Sequence, residues 1–176
     1  MNRKVKFLII IIFIIILTFS GIYTAANLIK SDEENKEDFT FTSLNGNEIH
    51  LSNYRGKIVI LDLWATWCSP CKSQMKELKE IYNSYTREKL EILSVDVDPS
   101  ETLEQIQDFI LESKNQEGID LNWIFGKDDG SVWEKYMTKN AGIPTLCIFD
   151  QQGNLYFQDA GLKDAEVISQ KIDNLL

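Results

Sequence analysis

The chain opens on an unbroken apolar run, Phe7 to Leu17, inside a longer stretch, Phe7 to Ile29, that carries no charged residue. As a helix rising ~1.5 Å per residue, 7–29 would reach ~35 Å, enough to cross the hydrocarbon layer of a bilayer. Arg3, Lys4 and Lys6 precede the run, whereas Lys30 is followed by Asp32, Glu33 and Glu34. The positive-inside rule therefore keeps residues 1–6 in the cytoplasm and sends the rest of the chain outside. A cleaved signal peptide is the competing reading, because Phe7 to Leu17 has the length of an h-region and Thr24-Ala25-Ala26 offers small residues to a peptidase. No cysteine lies near the end of the stretch, which excludes a lipoprotein anchor. Either way the following domain reaches an extracytoplasmic compartment where disulfides persist. Residues 30–38 are polar and acidic and read as a solvated linker.

From residue 39 to residue 176 the pattern is that of one globular domain. Phe39 and Phe41 alternate with Thr40 and Thr42, Asn45-Gly46 supplies a turn, and Ile49 to Leu51 resumes an extended pattern, which predicts a β-hairpin. Ile58 to Trp64 is nearly all apolar, as in a central strand covered on both faces. From Pro70 the spacing becomes helical, with Met75, Leu78, Tyr82 and Tyr85 on one face. Ile92 to Val97 predicts a second buried strand. Asp98-Pro99-Ser100-Glu101 then reads as a helix start, with Asp98 as cap and Leu103, Ile106 and Ile110 inward. Leu121 to Phe125 predicts a short strand, and Val132, Trp133, Tyr136 and Met137 the buried side of a short helix. Thr145 to Phe149 and Leu155 to Gln158 flank a turn at Gln151 to Asn154 and should pair antiparallel, before a last helix that buries Ile168, Ile172 and Leu175. Strands alternating with helices imply an α/β sheet, parallel where helices cross over and closed by the final hairpin.

Charge narrows the function. The chain holds 18 basic and 27 acidic residues, a net charge of -9, and such a balance offers no footprint for nucleic acid. Four of the bases and none of the acids lie in the first 30 residues, so the exported part is more acidic still, at -13. A single histidine and three cysteines leave few parts from which to build chemistry.

Those parts converge on Trp64-Ala65-Thr66-Trp67-Cys68-Ser69-Pro70-Cys71-Lys72, where a buried strand becomes a helix. There Cys68 stands at the helix start as an accessible sulfur and Cys71 lies in the first turn, close enough to form a disulfide. The helix N-terminus favours a thiolate on Cys68. Its dipole supplies only ~0.3–1 kcal/mol, less than one pKa unit at ~1.4 kcal/mol, so backbone amides and the Cys71 thiol must add to it. Thiol–disulfide exchange follows: Cys68 attacks a disulfide and Cys71 resolves the mixed disulfide, with no cofactor beyond the pair itself. Against this stand a purely structural disulfide, a zinc site, Cu(I) delivery through two thiolates and a cysteine peroxidase. A two-residue spacing closes too small a loop to constrain much chain. Zinc wants four ligands and finds no second pair. Copper is compatible with thiolate softness. The peroxidase lacks an upstream cysteine.

Asp62 sits six residues before Cys68 inside an apolar strand, where an unpaired carboxylate costs several kcal/mol to bury. A raised pKa there suits a general acid/base, and Asp62 is expected to take the proton from Cys71 during resolution; the alternative is a solvated residue at a strand edge. Gly142-Ile143-Pro144-Thr145 precedes another apolar strand, with Pro144 at the strand start.

Trp67-Cys68-Ser69-Pro70-Cys71-Lys72 together with Ile143-Pro144-Thr145 resembles the thioredoxin superfamily. The opening hairpin, Asn53-Tyr54-Arg55-Gly56-Lys57, Trp64-Ala65-Thr66-Trp67-Cys68 and the insertion from Asp98 to Phe125 resemble its membrane-tethered TlpA/ResA branch. The resemblance covers about residue 38 to the C-terminus. It implies a thioredoxin fold with an N-terminal β-hairpin and a central insertion, and Pro144 in cis beside the cysteine pair. Trp67 would then shield the cysteines, and Trp67, Pro70, Ile143 and Pro144 would border the groove for an extended substrate. It also implies electrons from a membrane-embedded thiol carrier and substrates among exported disulfide proteins, apocytochrome c included. Asp62 matches the buried acid of thioredoxin, where the TlpA/ResA branch more often has an amide, and Ser69-Pro70 replaces the acidic residue and proline of the ResA type. Strong oxidants of the superfamily place a histidine where Pro70 stands, so the resemblance points to a reductase.

Cys147, in an apolar strand, reads as a small buried hydrophobe rather than a third redox partner. His50 reads as a surface residue, Lys72 as solvated, and Trp123 and Trp133 as core.

Overall fold

Seven strands in one mixed sheet carry the domain in the computed structural model, which describes residues 37–137 and 142–176. In chain order these are β1 (Thr40–Ser43), β2 (Glu48–His50), a 3-10 turn (Leu51–Tyr54), β3 (Ile58–Trp64), α1 (Ser69–Ser84), β4 (Leu90–Asp96), α2 (Leu103–Glu117), β5 (Ile124–Lys127), α3 (Ser131–Tyr136), β6 (Thr145–Phe149), β7 (Leu155–Ala160) and α4 (Ala165–Asp173). The strand order is β2-β1-β5-β4-β3-β6-β7. β3 runs parallel to β4, with Trp64 opposite Asp96, and antiparallel to β6, with Leu63 opposite Thr145.

Every residue of β3 is buried because the sheet is covered on both faces, which is why its sequence does not alternate. The side chains still do. Ile58, Ile60 and Trp64 pack with Met75 and Leu78 of α1 and Ile168 and Ile172 of α4. Val59, Leu61 and Leu63 pack on the other face with Phe39, Val132, Tyr136 and Phe149. Each such fully buried aliphatic side chain contributes about 1.5–3 kcal/mol. The β1–β2 hairpin docks on β5 antiparallel, Ser43 opposite Gly126. A Cβ at Gly126 would run into the Thr42 carbonyl oxygen and the Phe41 ring, so that close approach requires glycine.

The helix expected from Asp98 starts later, at Leu103. Its cap is Thr102, whose hydroxyl accepts from the Gln105 amide while the Gln105 side chain accepts from the Thr102 amide, at 3.2 and 2.8 Å. This reciprocal box satisfies two free amides, and it leaves Asp98 and Glu101 for other work. The strand expected at Leu121 to Phe125 is shifted to Ile124–Lys127. In α3, Val132 and Tyr136 are buried as expected but Trp133 is 44% exposed, because a six-residue helix has only one face against the sheet.

Glu37 and Asp38, assigned by composition to the linker, are tied to the domain. Asp38 accepts from the Phe39 and Ser52 amides at 3.0 and 2.9 Å, and Glu37 pairs with Lys135 at 2.7 Å. The stretch 7–29 lies outside the described residues, among which no helix is long and apolar enough to cross a membrane.

Candidate active site

The turn between β3 and α1 presents the two cysteines. Cys68 is the N-cap of α1, with extended backbone angles, and Pro70 stands in the first turn, where its missing N–H has no helical partner to lose. Cys68 and Cys71 are joined in a disulfide with their Cα atoms 5.2 Å apart. The Cys71 amide donates to Cys68 Sγ at 3.2 Å. On reduction that amide would stabilise a thiolate at the same place, adding to the helix dipole. The accessible sulfur expected at position 68 is not what the oxidised state displays: Cys68 is only 2% exposed, while Trp67 beside it is 65% exposed.

Asp62 stands on the same side of the sheet as the pair. It shares the face of β3 that carries Ile60 and Trp64, the face packed against Cys71 and Met75, and it is fully buried rather than solvated at an edge. Burial pushes its carboxyl up to about 7, against a hydrogen bond that lowers it from Ser94, whose hydroxyl donates to Oδ2 at 2.9 Å. Oδ1 is buried without a partner. The Trp123 indole N–H donates in turn to Ser94 Oγ at 2.9 Å.

Pro144 follows a cis peptide bond from Ile143 and is buried at the start of β6, its carbonyl accepting from the Gly161 amide at 2.7 Å. Trp67 and Ile143, the chain neighbours of Cys68 and Pro144, line a groove of about 760 Å³ together with Val97, Asp98, Lys127 and Trp133. The sequence-predicted residues thus divide between the surface, where Trp67, Ile143 and the exposed Pro70 stand, and the interior, where Asp62 is buried. The indole of Trp67 is held from outside the motif, donating to Asp98 Oδ2 at 2.6 Å.

With this geometry in view, residues 34–158 match the model of the AhpC/TSA family. The chain belongs to the AhpC/TSA family. Within it, the Thiol-disulfide oxidoreductase ResA of Geobacillus kaustophilus is 31% identical over 140 residues, covering 78% of this chain and 74% of that one. The Thiol-disulfide oxidoreductase ResA of Bacillus cereus is 27% identical over 182 residues, covering 98% of each. Among solved structures, the lipoprotein thioredoxin Etrx1 of Streptococcus pneumoniae superposes with a TM-score of 0.64 over 79% of this chain and all of its own, at 24% identity. This AhpC/TSA-family chain is therefore a thiol-disulfide oxidoreductase of the ResA/TlpA-like kind, on a thioredoxin fold.

In this AhpC/TSA-family oxidoreductase the acids after β4, which the sequence assigned to a helix start, surround the motif instead. Glu101 is buried and accepts from the Thr66 amide at 3.0 Å and from the Thr66 hydroxyl. It lies within hydrogen-bonding reach of Asp96, itself fully buried. Burial and the neighbouring Glu101 raise the Asp96 carboxyl far above the usual carboxylate range. Burial also works against the charge on Glu101, but bonds from Asp96 and Thr66 outweigh it and hold Glu101 low. Asp98, bonded by Ser100 and Trp67, is held low as well. Ser94, Asp96, Glu101 and Trp133 were not singled out as site residues by the sequence; the one available signal was Asp96 as a charge inside the apolar run Ile92 to Val97.

Cys147 is fully buried, and burial with the charge of Glu37 pushes its thiol up to about 12. His50 is half-exposed and lies 2.9 Å from Glu48. Lys72 lies 5.3 Å from the centre of the Phe109 ring. Among the described residues no three His, Cys, Asp or Glu side chains are grouped to hold a metal.

Proposed function

We propose that this oxidoreductase works as a reductase on the extracytoplasmic side of a membrane, held there by the stretch 7–29, and reduces disulfides of exported proteins. The observation that carries the reading is the Cys68–Cys71 disulfide at the start of α1, on the side of the sheet where Asp62 is buried with its carboxyl pKa pushed up to about 7. In the reduced protein the Cys68 thiolate attacks a substrate disulfide, one S–S bond forming as the other breaks and one substrate thiolate leaving. Asp62 takes the proton of Cys71, and the Cys71 thiolate attacks Cys68 Sγ. The second substrate thiolate departs, and Cys68–Cys71 holds the oxidation equivalent of two electrons. A membrane-embedded thiol carrier returns them.

Pro70 supports the reductive direction, since no cationic side chain stands there to hold the reduced thiolate. The excess of Lys and Arg before the apolar run supports the orientation. Apocytochrome c cysteines are one substrate that the resemblance to the TlpA/ResA branch implies. Insulin reduction by the full chain in detergent, with pull-down of partners trapped by Cys71→Ser, tests the proposal. Turnover that needs both cysteines, with an exported protein in the trap, supports it. No turnover and no captured partner, with tight Cu(I) binding, would overturn it in favour of a copper-handling protein.

A further inference from the structure

The turn before Cys68 is fastened by a pair of carboxyls that nothing in the exchange mechanism requires. Glu101 takes both hydrogen-bond donors of Thr66, its amide and its hydroxyl, and so fixes the segment that joins β3 to Trp67 and Cys68. Asp96, at the end of β4, uses Oδ1 to accept the Asp98 amide at 2.9 Å. Its Oδ2 is buried and meets no donor, while the Glu101 carboxyl lies within hydrogen-bonding reach. Two ionised carboxylates are disfavoured there, because like charges that share a buried site repel and one of them keeps its proton.

We infer that Asp96 and Glu101 share one proton, and that this carboxylic acid–carboxylate pair is a positioning device that locks Thr66, and through it the Cys68 turn, until the proton is lost. Glu101, with two donors from Thr66, is the ionised partner, and Asp96 carries the proton on Oδ2 and donates it to Glu101. The other charged groups facing the pair are few. Lys127 is opposite Asp96 in β5, where it favours ionisation, but its ammonium donates to the Asp98 carbonyl at 2.5 Å. Asp98 repels Glu101 yet is engaged by Ser100 and Trp67. Asp128 donates its amide to the Asp96 carbonyl, while its carboxylate accepts from the amides of Val132 and Trp133 at 3.0 and 2.8 Å. None of them places a donor on Asp96 Oδ2. In alkali the proton leaves, Glu101 is driven from Thr66, and the turn that presents Cys68 is released.

The test is a titration of the full chain in detergent micelles, selectively labelled with 15N-threonine and kept oxidised so that neither Cys68 nor Cys71 titrates. The Thr66 amide resonance is followed over about pH 6 to 10. An inflection on the alkaline side is expected in the unmodified protein. Asp96→Asn places a permanent N–H donor opposite Glu101 and should leave the Thr66 resonance at its neutral-pH position throughout. Glu101→Gln removes the like charge and should move the inflection down by about one pH unit or more. Asp62→Asn should leave the inflection in place, which separates the pair from the buried Asp62 carboxyl. A flat Thr66 titration in the unmodified protein, or an inflection unmoved by both Asp96→Asn and Glu101→Gln, would overturn the inference. The titration needs no turnover, so its failure is distinct from a failure of the reductase reading.

Discussion

The hydroxyl of Ser94 donates to Asp62 Oδ2 at 2.9 Å, and it is itself held from behind. An indole N–H is a donor only, and that of Trp123 already occupies the Ser94 oxygen at 2.9 Å. That leaves the one hydrogen of Ser94 free for Asp62, which as a carboxylate can only accept. The bond favours the ionised carboxyl and opposes the burial that lifts it to about 7.

Ser94→Ala removes that bond. A hydrogen bond to a charged group is worth about 1.5–3 kcal/mol, so the Asp62 pKa should rise by about one to two units. Carbon-13 titration of the Asp62 carboxyl reads the shift. If Asp62 is the base for Cys71, resolution of a Cys68 mixed disulfide at neutral pH should also slow by about fivefold or more. An unchanged pKa in Ser94→Ala would remove Ser94 from the account.

Asp62 also links stability to pH. Its carboxyl is raised from 3.8 to about 7 on folding, so the folded protein binds the proton more tightly than the unfolded chain. The cost of burying the charge is absent below the lower value, grows between the two, and is complete above the upper one. At about 1.4 kcal/mol per unit the full cost is about 4 kcal/mol. Asp62→Asn should therefore gain stability over the unmodified protein as pH rises from 4 to 8, by about 2–4 kcal/mol, in urea unfolding curves of the oxidised forms. A difference independent of pH would mean that Asp62 is ionised in the folded state throughout.

Cys147 should behave as core. It is fully buried with its thiol pushed up to about 12, so iodoacetamide at neutral pH should label Cys68 in the reduced protein and leave Cys147 untouched until denaturant is added. Cys147→Ala should keep disulfide-reducing activity. Rapid native labelling of Cys147, followed by mass spectrometry of its peptide, would contradict this.

Gly126→Ala tests the docking of the hairpin. The added methyl would meet the Thr42 carbonyl and the Phe41 ring, and displacing backbone in a packed site costs about 1–3 kcal/mol. The unfolding midpoint should fall accordingly, with hydrogen exchange rising first in β1.

The strands other than β5, the helix after the motif and the cysteine pair were legible in the chain, because each depends on local pattern. β3 spans the residues that its apolar run predicts, since seven successive buried side chains have few other uses. Asp62 was legible for the converse reason, as a charge where the pattern allowed none. Asp98 to Glu101 misled, because an acid, a proline and an acid satisfy the rules of a helix start and of a buried bracket equally well. The capping box at Thr102 and Gln105 took the first role and left the second to Glu101.

What the amino-acid order determined by itself is the reactive element: a strand, a sharp turn and a helix that begins on Cys68 and returns Cys71 to it one turn later. Those relations span a few residues and follow from backbone geometry. Which groups surround the pair was decided only in three dimensions. Ser94 reaches Asp62 and Glu101 reaches Thr66 across separations of 32 and 35 residues, and the register of β4 beside β3 sets both meetings. Register is a property of the whole packed sheet, settled by burial on its two faces at once, and no short window of sequence contains it.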